Sequence, residues 1–421
     1  MANINGTDAN DVIITSKSTN NSFSGGDGNY ILYSGEGDNT LYGDLGNDIL
    51  DVSFSSGKNL LDGGLGNDQL YASNTTSSNS LKGGAGNDYF NINNSSGKNF
   101  LDGGSENDSF SASYTTGNNT LNGGEGNDYL YIYHSSGNNL LKGGSEDDRL
   151  YASNTSGDNT LKGGTGDDVL DISSSSGNNF LDGGLGNDQL YAYSVSGNNT
   201  LKGGSDNDSF HLSAPLVTPD VLVTQTVDGG TGDDYLSIDY GSFTTEGITS
   251  TFDTVTNQGL ITAGTYQVSY NNIEQLDISG TANTDTILGS DGNDFLFGND
   301  GNDLLNGGRG NDCLCGGEGT DTFAFNNYNE GVDSLYDFDP IAEVIQVSSA
   351  GFGGSLVTGA LSTSEFTIGS AATTDAQRFI YDNGTGALFF DQDGSGSTFT
   401  QVQFAQLSDG LSLSATNFVV V

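Results

Sequence analysis

A strict 20-residue period constrains the fold of this chain more than any other feature of its sequence. A leucine followed one residue later by Gly-Gly recurs at Leu61, Leu81, Leu101, Leu121, Leu141, Leu161, Leu181 and Leu201. Each Gly-Gly pair opens a hexad of the form Gly-Gly-x-Gly-x-Asp, as in residues 63–68. A fixed period of this kind is typical of a solenoid, in which each repeat forms one coil that packs on its neighbours.

Each coil is expected to contain two short strands and two turns. Residues 69–73 and 80–82 alternate apolar and polar side chains, whereas residues 63–68 and 74–79 are rich in Gly, Asn and Ser. Alternation over three to five residues between such clusters is the pattern of strands separated by turns. We assign the columns of Leu70, Ala72, Leu81 and Leu60 to the core, and each column contributes one residue per coil.

The two turns of a coil differ at one position. The last hexad residue is Asp in every coil from Asp48 to Asp208, and the equivalent residue of the other turn is Asn from Asn59 to Asn199. Strands in a sheet lie about 4.8 Å apart, and two carboxylates at about 5 Å repel by about 1 kcal/mol in water. An Asp column therefore requires cations between its rungs, whereas Asn amides can hydrogen-bond along the stack.

The composition also indicates a need for cations. The 421 residues include 55 acidic and 10 basic side chains, a net charge of -45, and only 33% are hydrophobic. Such a chain buries too little apolar surface to collapse unaided, and its charge excludes nucleic acid and anionic membranes as partners. No apolar run is long enough to span a membrane. The first eleven residues lack a basic segment and an apolar segment, so no cleaved secretory signal is predicted.

The period predicts five segments. Residues 1–42 form degenerate N-terminal repeats, residues 43–212 the 20-residue coils, and residues 213–288 an irregular β insertion with one hexad. From Gly289 the hexads recur with a nonapeptide rhythm, so residues 289–324 form a second block of repeats. Residues 325–421 are expected to form a β-rich C-terminal cap.

A family resemblance is carried by these hexads. Residues 307–315 fit the nonapeptide Gly-Gly-x-Gly-x-Asp-x-apolar-x, and the chain resembles bacterial RTX (haemolysin-type calcium-binding repeat) proteins. The resemblance implies an all-β, right-handed parallel β-roll or β-helix solenoid with multiple calcium ions in its turns. It also implies export by type I secretion machinery, an extracellular or cell-surface location, and an uncleaved export signal at residues 417–421.

The resemblance further implies the calcium ligands. In the family, the first and third hexad residues supply backbone carbonyl oxygens and the Asp bridges neighbouring ions. The corresponding residues here are Gly43, Leu45, Asp48, Gly63, Leu65, Asp68, Gly83, Ala85, Asp88, Gly103, Ser105, Asp108, Gly123, Glu125, Asp128, Gly143, Ser145, Asp148, Gly163, Thr165, Asp168, Gly183, Leu185, Asp188, Gly203, Ser205, Asp208, Gly229, Thr231, Asp234, Gly289, Asp291, Asp294, Gly298, Asp300, Asp303, Gly307, Arg309, Asp312, Gly316, Glu318 and Asp321.

Two departures from the family pattern affect these sites. The 20-residue coils are longer than those of the family. The fourth hexad position is Glu106, Glu146 or Asp206 in three coils, although a turn with positive φ favours Gly there. We expect these three turns to be distorted, unless the additional carboxylate serves as a ligand.

The sequence favours a non-enzymatic protein, secreted and calcium-binding, with a structural or adhesive role at the cell surface or in the matrix. Its expected partners are calcium, the secretion machinery, and either a second copy of itself or a cell-surface glycan. The outward column Tyr71, Tyr131, Tyr151 and Tyr191 is either a contact face or a set of ordinary strand residues.

Two alternatives remain open. The first is an accessory module of an RTX-type extracellular hydrolase or epimerase, although no His-Glu-x-x-His or Gly-x-Ser-x-Gly motif is present. The second is an ice-binding solenoid, because Ser/Thr pairs recur at residues 55–56, 75–76, 95–96, 115–116 and 135–136.

Overall fold

The computed structural model describes residues 2–6, 10–15, 20–215, 219–243 and 246–421. Positions 1, 7–9 and 16–19 of the predicted N-terminal segment lie outside the described residues. The chain divides into two compact units, residues 1–211 with 225–232 and residues 212–224 with 233–421. The division into five segments remains a prediction.

The first unit is a parallel β-solenoid in which every coil contributes one strand to each of two sheets. Equivalent residues of successive coils are paired in register, as Leu61 is with Leu81 and Leu70 with Phe90. The strands of sheet 1 are Ala2–Asn5, Asn21–Gly26, Asn39–Leu45, Asn59–Leu65, Asn79–Ala85, Phe100–Ser105, Thr120–Glu125, Leu140–Ser145, Thr160–Thr165, Phe180–Leu185, Asn199–Ser205 and Val223–Thr231. Those of sheet 2 are Val12–Thr15, Ile31–Ser34, Ile49–Asp51, Gln69–Tyr71, Tyr89–Asn91, Ser109–Ser111, Tyr129–Tyr133, Arg149–Ser153, Val169–Asp171, Gln189–Tyr193 and Ser209–Ser213.

Sheet 1 extends into the hexads. The first three hexad residues continue the strand, so that Gly64 pairs with Gly84 and Leu65 with Ala85, and the turn is confined to residues 66–68. The assignment of all of residues 63–68 to a turn is therefore wrong. Gly64 has φ of 107°, and a Cβ there would collide with the carbonyl oxygen of Asp44 in the preceding coil. The second glycine thus permits the close approach of two coils.

The core consists of stacked columns of apolar side chains. The columns that include Leu61, Leu70 and Ala72 are fully buried, as predicted, and Phe90 stacks on Phe110 with ring centroids 4.5 Å apart. The column of Leu60 faces outward: Leu60 is 37% and Phe100 48% exposed. Its assignment to the core is wrong, because neighbouring strand residues point to opposite faces and Leu61 already points inward.

The second unit has coils of the same kind with a shorter repeat. Phe295 pairs with Cys313 and Thr286 with Leu304, so paired residues are closer in sequence than in the first unit. Its strands lie in two sheets, which we label sheet 1 and sheet 2 by analogy with the first unit. The strands of its sheet 1 are Thr249–Asp253, Gln258–Ala263, Tyr266–Asn271, Thr286–Leu288, Leu304–Asn306, Thr322–Phe325, Val344–Val347, Gly359–Ala360 and Phe418–Val420. In sheet 2 they are Tyr235–Asp239, Gln275–Ser279, Phe295–Phe297, Cys313–Cys315, Asp333–Leu335, Phe366–Ile368, Phe379–Asp382, Ala387–Phe390 and Val402–Gln406. The strands Asp300–Gly301 and Glu318–Gly319 pair in parallel and form a separate two-stranded sheet.

The C-terminal cap has an aromatic core of its own. The ring centroid of Phe352, in the short helix Ser349–Phe352, lies 5.0 to 5.9 Å from those of Phe379, Phe390 and Phe404. A 3-10 helix, Ala415–Asn417, leads into the last strand, Phe418–Val420, which pairs in parallel with Val344–Val347. The predicted all-β parallel β-roll with a β-rich cap is confirmed. Among the described residues, no helix is long and apolar enough to span a membrane.

Candidate metal centre: two edges of a solenoid

The hexad aspartates of the first unit form an acidic row along one edge of the coils. The row consists of Asp48, Asp68, Asp88, Asp108, Asp128, Asp148, Asp168, Asp188 and Asp208, each at most 2% exposed. One carboxylate oxygen of each Asp after the first accepts a hydrogen bond from the backbone N–H of the preceding Asp. The distance is 2.7 Å from Asp48 N to Asp68 Oδ1 and 2.9 Å from Asp188 N to Asp208 Oδ1. Backbone hydrogen bonds between successive coils thus hold these carboxylates in place.

The second oxygen of these carboxylates has no donor. From Asp48 to Asp188, Oδ2 is buried and accepts no hydrogen bond. It lies against the first glycine of its own hexad. A Cβ placed on Gly63 would collide with Asp68 Oδ2 and lie 2.8 Å from the carbonyl oxygen of Gly83 in the next coil. Carboxylate and carbonyl oxygens therefore converge on space that only a glycine leaves open, and hard oxygen ligands of this kind suit calcium.

Burial makes this row costly to ionise in the absence of a cation. Burial raises the pKa of Asp48 to about 6 and that of Asp68 to about 7. Burial, assisted by neighbouring carboxylates, raises the pKa of Asp108, Asp148 and Asp188 to about 8. Raising the pKa of a carboxyl from about 4 to about 7 corresponds to about 4 kcal/mol, and a folded domain is stable by only about 5–15 kcal/mol. Several ionised rungs would therefore exceed the stability available to the fold.

The opposite edge is a neutral ladder of asparagines. The side-chain amide of each Asn donates to Oδ1 of the next, over 2.7 Å from Asn59 to Asn79 and 2.8 Å from Asn99 to Asn119. The same amide also donates to the carbonyl oxygen two residues earlier, as Asn59 does to Gly57. The ladder runs from Asn21 to Asn199 and ends on Gln225. The predicted hydrogen-bonded polar ladder is present, and it needs no ion.

The acidic row begins at Asp48 because an aromatic side chain occupies the preceding position. Tyr30 is the sixth residue of the degenerate hexad at residues 25–30 and is fully buried. Its backbone N–H donates to Asp48 Oδ1 over 2.6 Å. A Cβ on Gly25 would meet the Tyr30 ring, so the ring fills the space that a carboxylate leaves open in the coils that follow.

The three turns with an acidic fourth hexad residue differ from the others in backbone conformation, since Gly86 and Gly126 at that position have φ of 118° and 116°. Glu106, Glu146 and Asp206 adopt φ of 72°, 72° and 76°, and the strands on both sides keep their register. The carboxylate of Glu106 accepts the backbone N–H of Gly86 over 2.9 Å, and that of Glu146 accepts the N–H of Gly126 over 2.7 Å. The distortion is therefore confined to this one residue, and at the two glutamates the side chain accepts a backbone N–H of the preceding coil.

In the second unit both edges are acidic. Hexads in the nonapeptide rhythm place Asp294 and Asp312 before strands of sheet 2, and Asp303 and Asp321 before strands of sheet 1. Oδ2 of Asp303, Asp312 and Asp321 is buried without a hydrogen bond. Asp294 differs, since its Oδ2 accepts the backbone N–H and the hydroxyl of Ser290. Serine at the second hexad position thus satisfies this carboxylate internally.

Three further carboxylates that the hexad pattern did not identify occupy positions in these rows. Asp285 donates its backbone N–H to Asp303 Oδ1 over 2.7 Å, and Asp333 accepts the N–H of Asp312 over 3.1 Å. Glu343 immediately precedes the strand Val344–Val347. A degenerate hexad at residues 280–285 was a usable sequence signal for Asp285. Asp333 and Glu343 follow segments without Gly-Gly, so their sequences contain no such signal.

Carboxylates alone do not complete a metal site in this structure. Within the described residues, no group of three or more His, Cys, Asp or Glu side chains is placed to hold one ion. A calcium ion in the acidic row would therefore rely on one or two carboxylates together with backbone carbonyl oxygens. This is the donor set that the predicted first, third and sixth hexad residues would provide.

Comparison with known families agrees with this arrangement. A family model described as the RTX calcium-binding nonapeptide repeat matches residues 15–50, 55–74, 75–91, 115–131, 135–155, 153–190, 195–214, 279–314 and 288–323, about half of the chain. The chain belongs to the RTX calcium-binding repeat family. Its ion is therefore calcium, bound by the repeats.

Two solved structures are similar to parts of this RTX chain. One is the R3 subunit of a mannuronan C5-epimerase from Azotobacter vinelandii, 30% identical, with a TM-score of 0.24. The match covers 34% of this chain and 77% of that subunit. The other is the extracellular lipase LipA from Serratia marcescens, 19% identical over 58% of this chain and 40% of the lipase, with a TM-score of 0.19. No curated protein matches the chain.

Proposed function

We propose that this RTX protein is a secreted, non-enzymatic calcium-binding protein with a structural or adhesive role at the cell surface or in the extracellular matrix. It folds when it binds calcium after export. The observation that carries the proposal is the row of buried carboxylates from Asp48 to Asp188, whose second oxygens have no hydrogen-bond donor. A row of this kind is stable when ionised only if cations supply the missing partners.

Calcium then acts as the switch between the unfolded and the folded chain. A ligand that binds only the folded state stabilises it by mass action. In the calcium-poor cytosol the ionised row opposes folding, and the chain stays extended for type I export. Outside the cell, calcium fills the hexads and the coils close. The ligands we propose are the hexad residues named above, with the acidic edge occupied and the Asn59 to Asn199 edge free of metal.

The contact face we propose is a tyrosine patch on the outer surface of sheet 2. The patch consists of Tyr129, Tyr131, Tyr133 and Tyr151, whose rings lie 5.4 to 6.4 Å apart. Asp171 separates this patch from Tyr191 in the same column, so the rings form a patch and not a continuous stripe. Neighbouring tyrosine rings with polar hydroxyls suit self-association or contact with a carbohydrate.

The ice-binding alternative is not favoured by the positions of the hydroxyl pairs. Ser55, Thr75, Ser95, Thr115 and Ser135, the first members of the five pairs, are at most 1% exposed. The Thr75 hydroxyl accepts the side-chain amide of Asn79 over 2.8 Å. Half of the hydroxyl array is therefore internal and supports the asparagine ladder.

A double substitution tests the contact face. Tyr131→Ser with Tyr151→Ser removes the centre of the patch, while Tyr71→Ser with Tyr191→Ser removes two rings of the same column outside it. Both variants should keep the calcium-dependent circular dichroism of the wild type, because all four rings lie on the outer face. Sedimentation velocity in calcium and adhesion to cells should be weakened only by the first variant. If both variants self-associate and adhere as strongly as the wild type does, the tyrosines are ordinary strand residues and not a contact face.

A further inference from the structure

The acidic row before the sheet 1 strands of the second unit runs through Asp285, Asp303 and Asp321. Backbone N–H groups of Asp285 and Asp303 donate to Oδ1 of the following Asp over 2.7 and 2.8 Å. Asp321 belongs to the last hexad of the chain, and the segment that follows contains no further hexad. An ion that Asp321 would share with a following coil therefore has no second carboxylate ligand from the repeats.

The structure places Glu343 one rung beyond Asp321. Thr322 pairs in parallel with Val344, so the residues that precede these two strands are in register. Val344 N donates to the Asp321 carbonyl oxygen over 3.1 Å, as Thr322 N donates to that of Asp303 over 2.7 Å. Glu343 thus occupies the row position of a hexad Asp, although its segment has Phe338 where hexads have their first glycine.

The two carboxyl groups are buried and lie near each other. Asp321 is fully buried and Glu343 is 4% exposed. Asp321 Oδ2 accepts no hydrogen bond from an N–H group. Glu343 Oε2 accepts the backbone N–H of Asp339 over 2.8 Å, and the Glu343 carboxyl also lies within hydrogen-bonding reach of the Asp321 carboxyl. The other nearby carboxylate, Asp337, is engaged by the backbone N–H groups of Gly316 and Gly317. The ion pairs found among the described residues, Lys162–Asp182 and Arg309–Asp291, do not reach this cluster.

We propose that Glu343 closes this row by sharing a calcium ion with Asp321. The inference rests on the proposed calcium role of the hexads and adds a ligand from outside the repeats. Phe338 is buried and packs on Phe323, with ring centroids 5.8 Å apart, so its rung lacks the open space of a hexad glycine. The additional methylene of Glu over Asp extends the carboxylate toward the preceding rung. The ion would join the last repeat to the strand Val344–Val347 of the cap.

Crystals of the full chain grown in calcium test the assignment by anomalous scattering at long wavelength. We expect an anomalous peak within calcium–oxygen distance of both Asp321 and Glu343, in addition to peaks along the Asp48 to Asp188 row. Peaks in that row without one between Asp321 and Glu343 would overturn this inference and leave the proposed function intact. That result would mean that the two carboxyls share a proton. Absence of peaks from every hexad would overturn both.

Native mass spectrometry of variants provides a second measurement that does not depend on crystals. Glu343→Met keeps the length of the side chain and removes its oxygens, so the chain should bind one calcium fewer than the wild type. Asp321→Asn should lose this ion as well, together with any ion that Asp321 shares with Asp303, because a hexad Asp bridges neighbouring ions. Glu343→Gln keeps one oxygen and should restore the ion at high calcium. The exposed control Asp409→Asn should bind as many ions as the wild type, and an unchanged count in Glu343→Met would refute the shared ion.

Discussion

Neutralising three rungs of the acidic row should partly remove the need of this chain for calcium. The variant carries Asp108→Asn, Asp128→Asn and Asp148→Asn, which give one edge the chemistry of the asparagine ladder on the other. An Asn side chain can still accept the N–H of the preceding rung and can donate its amide to a neighbouring carbonyl oxygen, as Asn59 does. The matched control carries Asp147→Asn, Asp158→Asn and Asp167→Asn. These are exposed turn positions at which neighbouring coils already have Asn.

The expected size of the effect follows from burial. The pKa of Asp128 is raised to about 7 and those of Asp108 and Asp148 to about 8. At about pH 7.5 each of these rungs, which is ionised in the unfolded chain, therefore costs the calcium-free fold about 4 to 5 kcal/mol relative to the unfolded chain, whether the fold holds it protonated or ionised. Adjacent rungs are coupled, so the three contributions do not add fully. We expect the buried triple variant to gain at least about 5 kcal/mol over the exposed one.

Circular dichroism in EDTA measures this difference. Trimethylamine oxide favours burial, so a titration with it induces folding even where the wild type is unfolded in buffer, and its midpoint reports the free energy. The buried triple variant should fold at a lower osmolyte concentration than the wild type and the control. In millimolar calcium its advantage should disappear, because three ligands are lost. Equal midpoints for the two triple variants in EDTA would refute the electrostatic account of the row.

The same contacts lead to three further predictions. In EDTA the chain should gain β structure as the pH falls from 8 to 5. The folded pKa values of about 6 to 8 exceed the unfolded value of about 3.9, so the calcium-free fold binds the additional protons and loses stability as the pH rises; less structure at pH 5 would contradict this. Asn119→Asp should lower the free energy of urea unfolding in calcium by about 3 kcal/mol, because it buries an unpaired charge in the ladder. Asn118→Asp at the exposed neighbour should leave that free energy unchanged, and equal effects of the two would count against the neutral ladder. Deletion of residues 417–421 should reduce secretion into calcium-free medium. In that medium the chain is already unfolded, so loss of the strand Phe418–Val420 cannot act through folding. Undiminished export would show that residues 417–421 contain no export signal.

The repeating part of the fold could be predicted from the sequence because one coil determines the next. Once Leu61 and Leu81 are assigned to the same column, a parallel register with a constant offset of one period follows, and the Asp and Asn columns are assigned to opposite turns. The contrast between these turns concerns charge and hydrogen bonding, which residue types alone determine. The row from Asp48 to Asp208 and the ladder from Asn59 to Asn199 could therefore be predicted from the repeat alone.

Errors and omissions arose where the environment of a residue, and not its type, decides its role. In strand Asn59–Leu65 alternate side chains point inward, beginning with Asn59, so Leu60 points to solvent. The large side chains in the column of Leu60 had suggested a core position. Glu106 satisfies its turn by capping Gly86, a contact with the preceding coil that local propensity does not contain. Glu343 enters the row only through the pairing of Val344 with Thr322. Such positions depend on tertiary pairing and cannot be read from a motif.

The most direct test of the central claim is the far-UV circular dichroism of the full chain near neutral pH, first in EDTA and then in millimolar calcium. If buried carboxylates without donors oppose folding until cations bind them, the spectrum in EDTA should be that of a disordered chain. Addition of calcium should convert it cooperatively into a β-sheet spectrum, and magnesium at the same concentration should be less effective, because it dehydrates reluctantly and demands octahedral geometry. Identical β-sheet spectra in EDTA and in calcium would contradict the account.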